Sequence, residues 1–118
     1  MITSIHSYGG VTATVYVMQK GEKIPRHQHP FPHTTGVAAG QSAVEMYGNP
    51  PFLGEMIVGD IPLVLPKNID HEIRALVDGT VVVNLSVGGP QTVANATRGE
   101  PAQAGGVALH DGTVVDAA

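Results

Sequence analysis

The chain has 118 residues, the size of one domain, and its ten Asp and Glu residues outnumber six scattered Lys and Arg residues. It therefore lacks the basic patch that nucleic-acid binding requires, and it has no apolar run of about 20 residues that would span a bilayer. The absence of cysteine excludes disulfides and thiolate ligands, and residues 1–5 do not resemble a signal peptide. We expect a cytoplasmic protein that binds neither nucleic acid nor a membrane.

The chain is divided into short segments by fifteen Gly and nine Pro residues, which interrupt every candidate amphipathic helix. Between these turns, β-branched residues and alternating polarity are typical of strands. In chain order, the predicted strands span residues 1–6, 11–18, 42–47, 52–58, 61–65, 71–77 and 80–86. Short strands at about 10-residue spacing predict an all-β antiparallel sandwich or barrel.

Three turns are marked by their composition. Gly9-Gly10 follows the first strand, and residues 48–51 (Gly-Asn-Pro-Pro) separate the third strand from the fourth. Asp78-Gly79 lies between the last two strands and predicts a two-residue β-hairpin.

The composition changes after Ser86. Residues 87–118 contain six Gly, one Leu and no aromatic residue, so this stretch buries little apolar surface by itself. We predict a barrel domain over residues 1–86 and a Gly/Ala-rich arm over residues 87–118, with a short hairpin at 107–115. The arm is either a partly disordered tail or a segment that packs along the barrel or onto a second subunit.

Four of the six histidines have a spacing that metal binding explains. On a strand, His27 and His29 point to the same face because they are two residues apart. A bend at residues 30–32 (Pro-Phe-Pro) returns His33 to the same place, and His71 arrives at the head of a later strand. Imidazole suits Zn, Cu, Fe and Ni, and a site of four nitrogens also accepts Mn. The alternative is that these are surface histidines near a turn or a chance cluster. His6 and His110 lie in terminal segments with no partner residues nearby in the sequence, and we assign them no metal-binding role.

The segment around these histidines resembles the first motif of the cupin family. Gly21, five residues, His27-Gln28-His29, three residues, His33, six residues and Gly40 match the pattern G(X)5HXH(X)3–4E(X)6G, except that His33 replaces Glu. Residues 66–71 resemble the PXGXXH core of the second motif.

That second motif departs from the family pattern in three places. Asn68 replaces the family's Gly, a mild change because Asn also tolerates a positive φ. Gly59 lies one residue too far from Pro66, and Ala75 stands where the family has Asn.

The resemblance implies a small single-domain cupin of the cupin 2 conserved-barrel type, folded as a double-stranded β-helix or jelly-roll barrel. Its metal ligands would be His27, His29, His33 and His71, holding one divalent transition metal. Mn or Fe is the expected ion, with Ni, Zn and Cu as alternatives. Without the family's Glu the ligand set is neutral, which leaves the full charge on the ion. Small cupins commonly pair through sheet edges, so we expect a homodimer.

The resemblance further implies a metal-dependent, dioxygenase-like enzyme that acts on a small oxygenated substrate. A non-catalytic ligand-binding or sensor domain and a sugar-related isomerase or lyase stay open as alternatives. Strand parity places Thr35 with His33 and Ile73 with His71 on the inner face, and Phe31 lies at the bend. We predict Phe31, Thr35 and Ile73 as contacts of a small-molecule ligand, with core packing of Phe31 as the alternative.

Overall fold

The computed structural model describes residues 1–87, which form nine strands and no helix within that range. The strands are β1 (Ile2–Tyr8), β2 (Val11–Met18), β3 (Lys23–His27), β4 (His33–Ala39), β5 (Gln41–Met46), β6 (Phe52–Ile57), β7 (Leu63–Leu65), β8 (His71–Ala75) and β9 (Thr80–Val87). No helix among the described residues has the length and apolar character needed to cross a membrane.

The strands form two antiparallel sheets that enclose one core. The five-stranded sheet has the order β1-β2-β9-β4-β7, and the four-stranded sheet has the order β3-β8-β5-β6. The chain passes repeatedly between the sheets, which is the arrangement of a jelly-roll barrel. The core contains Tyr16, Met18, Ile24, Val44, Met56, Leu65, Ile73, Ala75 and Val82. The prediction of an all-β jelly-roll fold is confirmed.

The two-residue period of the strands decides which side chains enter the core. On β8, His71, Ile73 and Ala75 are buried, while Glu72 and Arg74 point away from the core. This is the parity expected from the sequence. It places a histidine and two apolar residues on one inner face of the barrel.

The turn at Asp78-Gly79 does not close a hairpin, so that prediction is wrong. β8 pairs with β3 and β5, whereas β9 pairs with β2 and β4 in the other sheet. Gly79 has the positive φ of a turn residue, 75°, but the turn carries the chain from one sheet to the other. A two-residue turn signal fixes the local backbone and leaves open which strand becomes the neighbour.

The other predicted turn near the start of the chain is confirmed. Gly9 and Gly10 have φ values of 61° and 81° and join β1 to β2 in a hairpin. The proline-rich segment between residues 21 and 40 forms two strands, β3 and β4, separated by an irregular loop. β9 ends at Val87; the rest of the predicted arm, with its hairpin at 107–115, lies outside the described residues.

Candidate metal centre

The four predicted histidines lie together at one end of the barrel. His27 is the last residue of β3, His33 is the first residue of β4 and His71 is the first residue of β8. His29 lies beyond the end of β3. The prediction that it shares a regular strand with His27 is therefore wrong. His29 is nevertheless buried at 7% exposure, and the other three side chains are at most 5% exposed.

Three of these histidines form a tight group. The coordinating nitrogens of His27, His29 and His71 all lie within 4.8 Å of one another, and Nε2 of His27 is 3.0 Å from Nε2 of His29. His33 is not a member of this group of three. It adjoins the group through His71, because the two Nε2 atoms are 3.4 Å apart.

Two of the rings have their orientation and tautomer set by backbone carbonyls. Nδ1 of His27 lies 2.6 Å from the carbonyl oxygen of Pro25, and Nδ1 of His71 lies 3.0 Å from that of Ile69. A carbonyl oxygen can only accept a hydrogen bond, so each Nδ1 carries the proton and donates it. A neutral imidazole has one N–H, and Nε2 of each ring therefore directs a lone pair into the cluster.

The tautomer of His33 is set by two buried side chains. Thr35 Oγ1 donates a hydrogen bond of 2.6 Å to Asn84 Oδ1, which uses its single proton. The same oxygen lies 3.1 Å from His33 Nδ1 and therefore accepts a hydrogen bond from it. We call Thr35 and Asn84 the His33 relay. The sequence offered one sign of Asn84, which is a polar residue inside the otherwise apolar run of β9.

Burial keeps these histidines neutral. Removal from water lowers the pKa of His27, lowers that of His33 to about 3 and lowers that of His71 to about 4. The neighbouring imidazoles add to the effect, since a charge on one ring opposes a charge on the next. Neutral rings with bare Nε2 atoms are the form in which histidine binds metals.

The donors of His27, His29 and His71 could hold a single metal ion, and His33 lies beside them. With their protons on Nδ1, His33 and His71 face each other through two lone pairs and have no proton to share between them. A cation between the rings would satisfy both nitrogens. With metal–nitrogen bonds of 2.0–2.1 Å, adjacent ligands lie about 2.9–3.4 Å apart for angles of 90–109°. The observed separations of 3.0 and 3.4 Å match this range.

A network outside the barrel joins β3 to β8. Asp70 accepts hydrogen bonds of 2.8 Å from Arg26 Nε and from Gln28 Nε2, the two residues that flank His27. The Arg26 guanidinium also lies 3.8 Å above the centre of the Tyr47 ring. We call Asp70 and its two donors the Asp70 brace. It fixes the position of His27 relative to the residue that follows Asp70, which is His71.

The turn before β8 holds the backbone of the histidine loop. The amide N–H of Asn68 donates a hydrogen bond of 2.7 Å to the carbonyl oxygen of His29. Asn68 has a φ of 60°, the positive value that the Asn-for-Gly replacement in the second motif predicts. The replacement of Gly by Asn in the second motif therefore keeps the positive φ at this position.

A cleft of about 620 Å³ opens beside the cluster. It is lined by Arg26, His27, Gln28, His29, Pro30, Asn68 and Asp70. Of the three predicted ligand contacts, Phe31 lies nearest, with its ring stacked on His29 at a centroid distance of 5.0 Å. Thr35 contacts His33 in the relay, and Ile73 is fully buried in the core. None of the three lines the cleft.

The fold and the site define a class, the cupin-fold proteins with a buried histidine cluster able to hold a metal ion. Solved structures of oxalate decarboxylase from Bacillus subtilis share the fold, including one described for its Mn(II) centres and one at pH 4.6. Each is 18% identical to this chain with a TM-score of 0.62 over 68% of it. The match spans 22% and 21% of those chains. Neither a protein-family model nor the sequence of a curated protein matches the chain.

Proposed function

We propose that this protein binds one divalent transition metal through the Nε2 atoms of His27, His29 and His71, with His33 as the fourth donor. One observation carries the proposal. Three buried rings have their protons held on Nδ1 by partners outside the cluster, which leaves their Nε2 atoms turned toward one another. Such outer hydrogen bonds orient the ring and set the tautomer of metal-binding histidines.

For the ion, we propose Mn or Fe. Imidazole nitrogen alone does not select among first-row metals, and Ni, Zn and Cu also accept such ligands. The support for Mn comes from the fold, because the B. subtilis oxalate decarboxylase that shares it has Mn(II) centres.

We further propose that the protein is a metal-dependent, dioxygenase-like enzyme acting on a small oxygenated substrate. An ion held by neutral ligands keeps its full charge and, when bound, would polarise an oxygen atom of the substrate. The cleft gives such a molecule access to His27 and His29, and Gln28 and Asn68 line it with polar side chains. The Phe31 ring does not line the cleft but stacks on His29, which does, and Pro30 adds an apolar residue to the lining for the hydrocarbon part of the substrate.

A non-catalytic ligand-binding domain is the second candidate, and one observation favours it. Among the described residues that line the cleft, Asp70 is the single carboxylate. Both of its oxygens accept hydrogen bonds from the brace, so it is poorly placed to act as a general base. Proton transfer in an enzyme would have to use the substrate, water or a histidine.

Metal binding is tested by elemental analysis of protein prepared without an affinity tag and reloaded with Mn(II) or Fe(II). We expect about one equivalent of metal per chain, and less than about half an equivalent would contradict the proposal. His29→Ala should abolish the binding. His6→Ala is the matched control, since His6 lies on β1 and is exposed.

Catalysis is tested separately on the metal-loaded protein. An oxygen electrode and product analysis with small dicarbonyl and phenolic compounds should show turnover that His29→Ala removes. Tight binding of such a compound without product would reject the enzyme and leave the ligand-binding domain. The two measurements are independent, so the metal site can be correct while the proposed activity is wrong.

A further inference from the structure

Charged residues are distributed unequally between the two sheets. Within residues 1–87, the five strands of the β1-β2-β9-β4-β7 sheet contain no Asp, Glu, Lys or Arg. Each strand of the other sheet contains at least one such residue; they are Lys23, Arg26, Glu45, Glu55, Glu72 and Arg74. The outer face of the five-stranded sheet therefore carries no Asp, Glu, Lys or Arg side chain from its own strands.

This outer face is also apolar across its centre. Strand pairing places the outward residues in rows, of which the central ones join β2 to β9. The pairs are Val11–Val87, Ala13–Leu85, Val15–Val83 and Val17–Val81. An antiparallel sheet with one face in water normally alternates apolar and polar residues. The inner residues of β2 and β9 are mostly buried and include several polar side chains, whereas the outer residues of both strands are all apolar, which is the composition expected of a face that is covered.

The rows extend to the neighbouring strands, where polar Ser4, His6 and Thr34 pair with Val15, Ala13 and Leu85 and the remaining positions are small or apolar. Ile2 on β1 pairs with Val17 and is 60% exposed, and Gly36 on β4 pairs with Val83. At the far edge, Val64 on β7 pairs with Thr34 and is 61% exposed. No long charged side chain of these strands rises from the sheet, so the face can approach another flat surface closely.

The area of this face can be compared with the area that specific protein interfaces bury. Four strands at 4.8 Å spacing and seven residues at 3.3 Å rise cover roughly 450 Å² as a flat projection. Two copies would contribute about 900 Å² before side-chain relief is added, which approaches the roughly 1,000–1,200 Å² at which specific interfaces begin. The largest apolar patch of a soluble monomer has about this size and is often functional.

We infer that this outer face is the interface between two copies of the chain, packed face to face about a two-fold axis. A second copy fits because it presents the same apolar rows, and because neither copy brings a charge that would be buried without a partner. The homodimer expected from sequence is thereby assigned to a sheet face instead of a sheet edge.

The proposed interface lies on the outer face of the sheet whose inner face carries His33. On β4, His33 and Thr35 are buried toward the cluster, whereas Thr34 and Gly36 belong to the outer rows. Association would leave the cleft at His27 and His29 open. The inference therefore stands independently of the proposed function, and each can fail alone.

Light scattering of the full chain tests the inference. We expect twice the 12.2 kDa of one chain. Val83→Lys would bury an ammonium group at the centre of the face and should raise the dissociation constant at least about 100-fold, so that a monomer is observed. Leu53→Lys is the matched control, because Leu53 is 73% exposed on β6 of the other sheet, and it should remain dimeric. A monomeric native chain, or a dimer that Leu53→Lys dissociates and Val83→Lys does not, would overturn the inference.

A second measurement avoids dependence on the folding of the lysine variant. The chain contains no cysteine, so Val83→Cys and Leu53→Cys each introduce a single thiol. From the diluted chain to concentrations where the dimer forms, alkylation at position 83 should slow at least about 10-fold, whereas the rate at position 53 should stay the same. A rate at position 83 that does not depend on concentration would show that the face is open. In both lysine variants, metal content should stay at the native value.

Discussion

Nε2 of His33 lies 3.4 Å from Nε2 of His71, although β4 and β8 belong to different sheets. Their Nδ1 atoms donate to different partners, the Thr35 hydroxyl on one side and the Ile69 carbonyl on the other. An ion bound between them would therefore connect the two halves of the barrel.

Metal addition should accordingly stabilise the fold. A ligand that binds the native state alone adds about 2.7 kcal/mol when its free concentration is 100 times its dissociation constant. Thermal unfolding followed by circular dichroism, with chelator and then with Mn(II), should show a corresponding rise in Tm. His29→Ala should remove the rise, and identical native unfolding curves in both conditions would argue against a site that joins the sheets.

Thr35→Val should weaken metal binding through the His33 relay. Valine keeps the shape of threonine but cannot accept the Nδ1 proton of His33, and changes to such outer partners typically reduce metal affinity 10–100-fold. Competition with a chromogenic chelator measures the change. Thr35→Ser should restore most of the affinity, since it keeps the hydroxyl. Thr34→Val is the matched control on the outer face of β4, and an equal loss there would contradict the relay.

Asp70→Asn should loosen the histidine loop with little effect on overall stability. The Arg26–Asp70 pair is partly exposed, so we expect its loss to lower the free energy of unfolding by about 1 kcal/mol or less. The misplaced donor at His27 should still reduce metal affinity by about 3–10-fold. Glu72→Gln is the control, because Glu72 pairs with Lys23 and Arg74 and has no bond to the loop. Isothermal titration with Mn(II) compares the two variants.

The metal-free protein should lose stability as the pH falls below about 6.5. The unfolded chain titrates its histidines near that value, whereas the native pKa values of His33 and His71 are about 3 and about 4. Between these limits the unfolded state binds more protons, so the free energy of unfolding falls with decreasing pH, by at most about 1.4 kcal/mol per pH unit for each histidine.

Denaturant titrations in chelator between pH 7.5 and pH 5 would measure this slope. His71→Asn should make this slope shallower, because it removes a buried ring whose pKa is lowered to about 4. A free energy of unfolding that is constant over this range in the native chain would contradict the burial of neutral rings.

Gly40→Ala should be strongly destabilising for a steric reason. A Cβ at Gly40 would lie 2.5 Å from Thr80 Oγ1 and 2.8 Å from Thr80 Cα, so the β4–β5 turn and the start of β9 would have to separate. We expect a loss of more than about 2 kcal/mol. Gly79→Ala has nearly the same positive φ, 75° against 77°, and open space around its Cβ, so it should lose only about 1 kcal/mol. Equal losses in urea unfolding would show that backbone strain alone explains Gly40.

The sequence predicted the parts of this structure that depend on local spacing. Parity along β8 correctly predicted that His71 and Ile73 share an inner face, and the histidine spacing predicted that distant rings meet. Spacing did not reveal where His29 sits, because the strand ends before it.

The features that the sequence did not predict depend on contacts between segments that are far apart in the chain. Asn84 meets Thr35 across 49 positions, and Asp70 meets Arg26 across 44. Such pairs follow from which strands become neighbours, and the sequence of a single chain does not specify that. The error at Asp78-Gly79 has the same origin, since the turn was recognised and the destination of β9 was not.

The alternation along β4 makes two properties of the molecule separately adjustable. Odd-numbered positions 33 and 35 control how an imidazole is presented to the barrel interior, and even-numbered positions 34 and 36 belong to the outer surface. A library randomised at the odd positions would vary ligand chemistry on a constant scaffold. One randomised at the even positions would vary the outer surface that we propose as the dimer interface, while leaving the interior unchanged. The alternation of side chains along one strand thus provides two sets of positions that can be substituted independently in this small barrel.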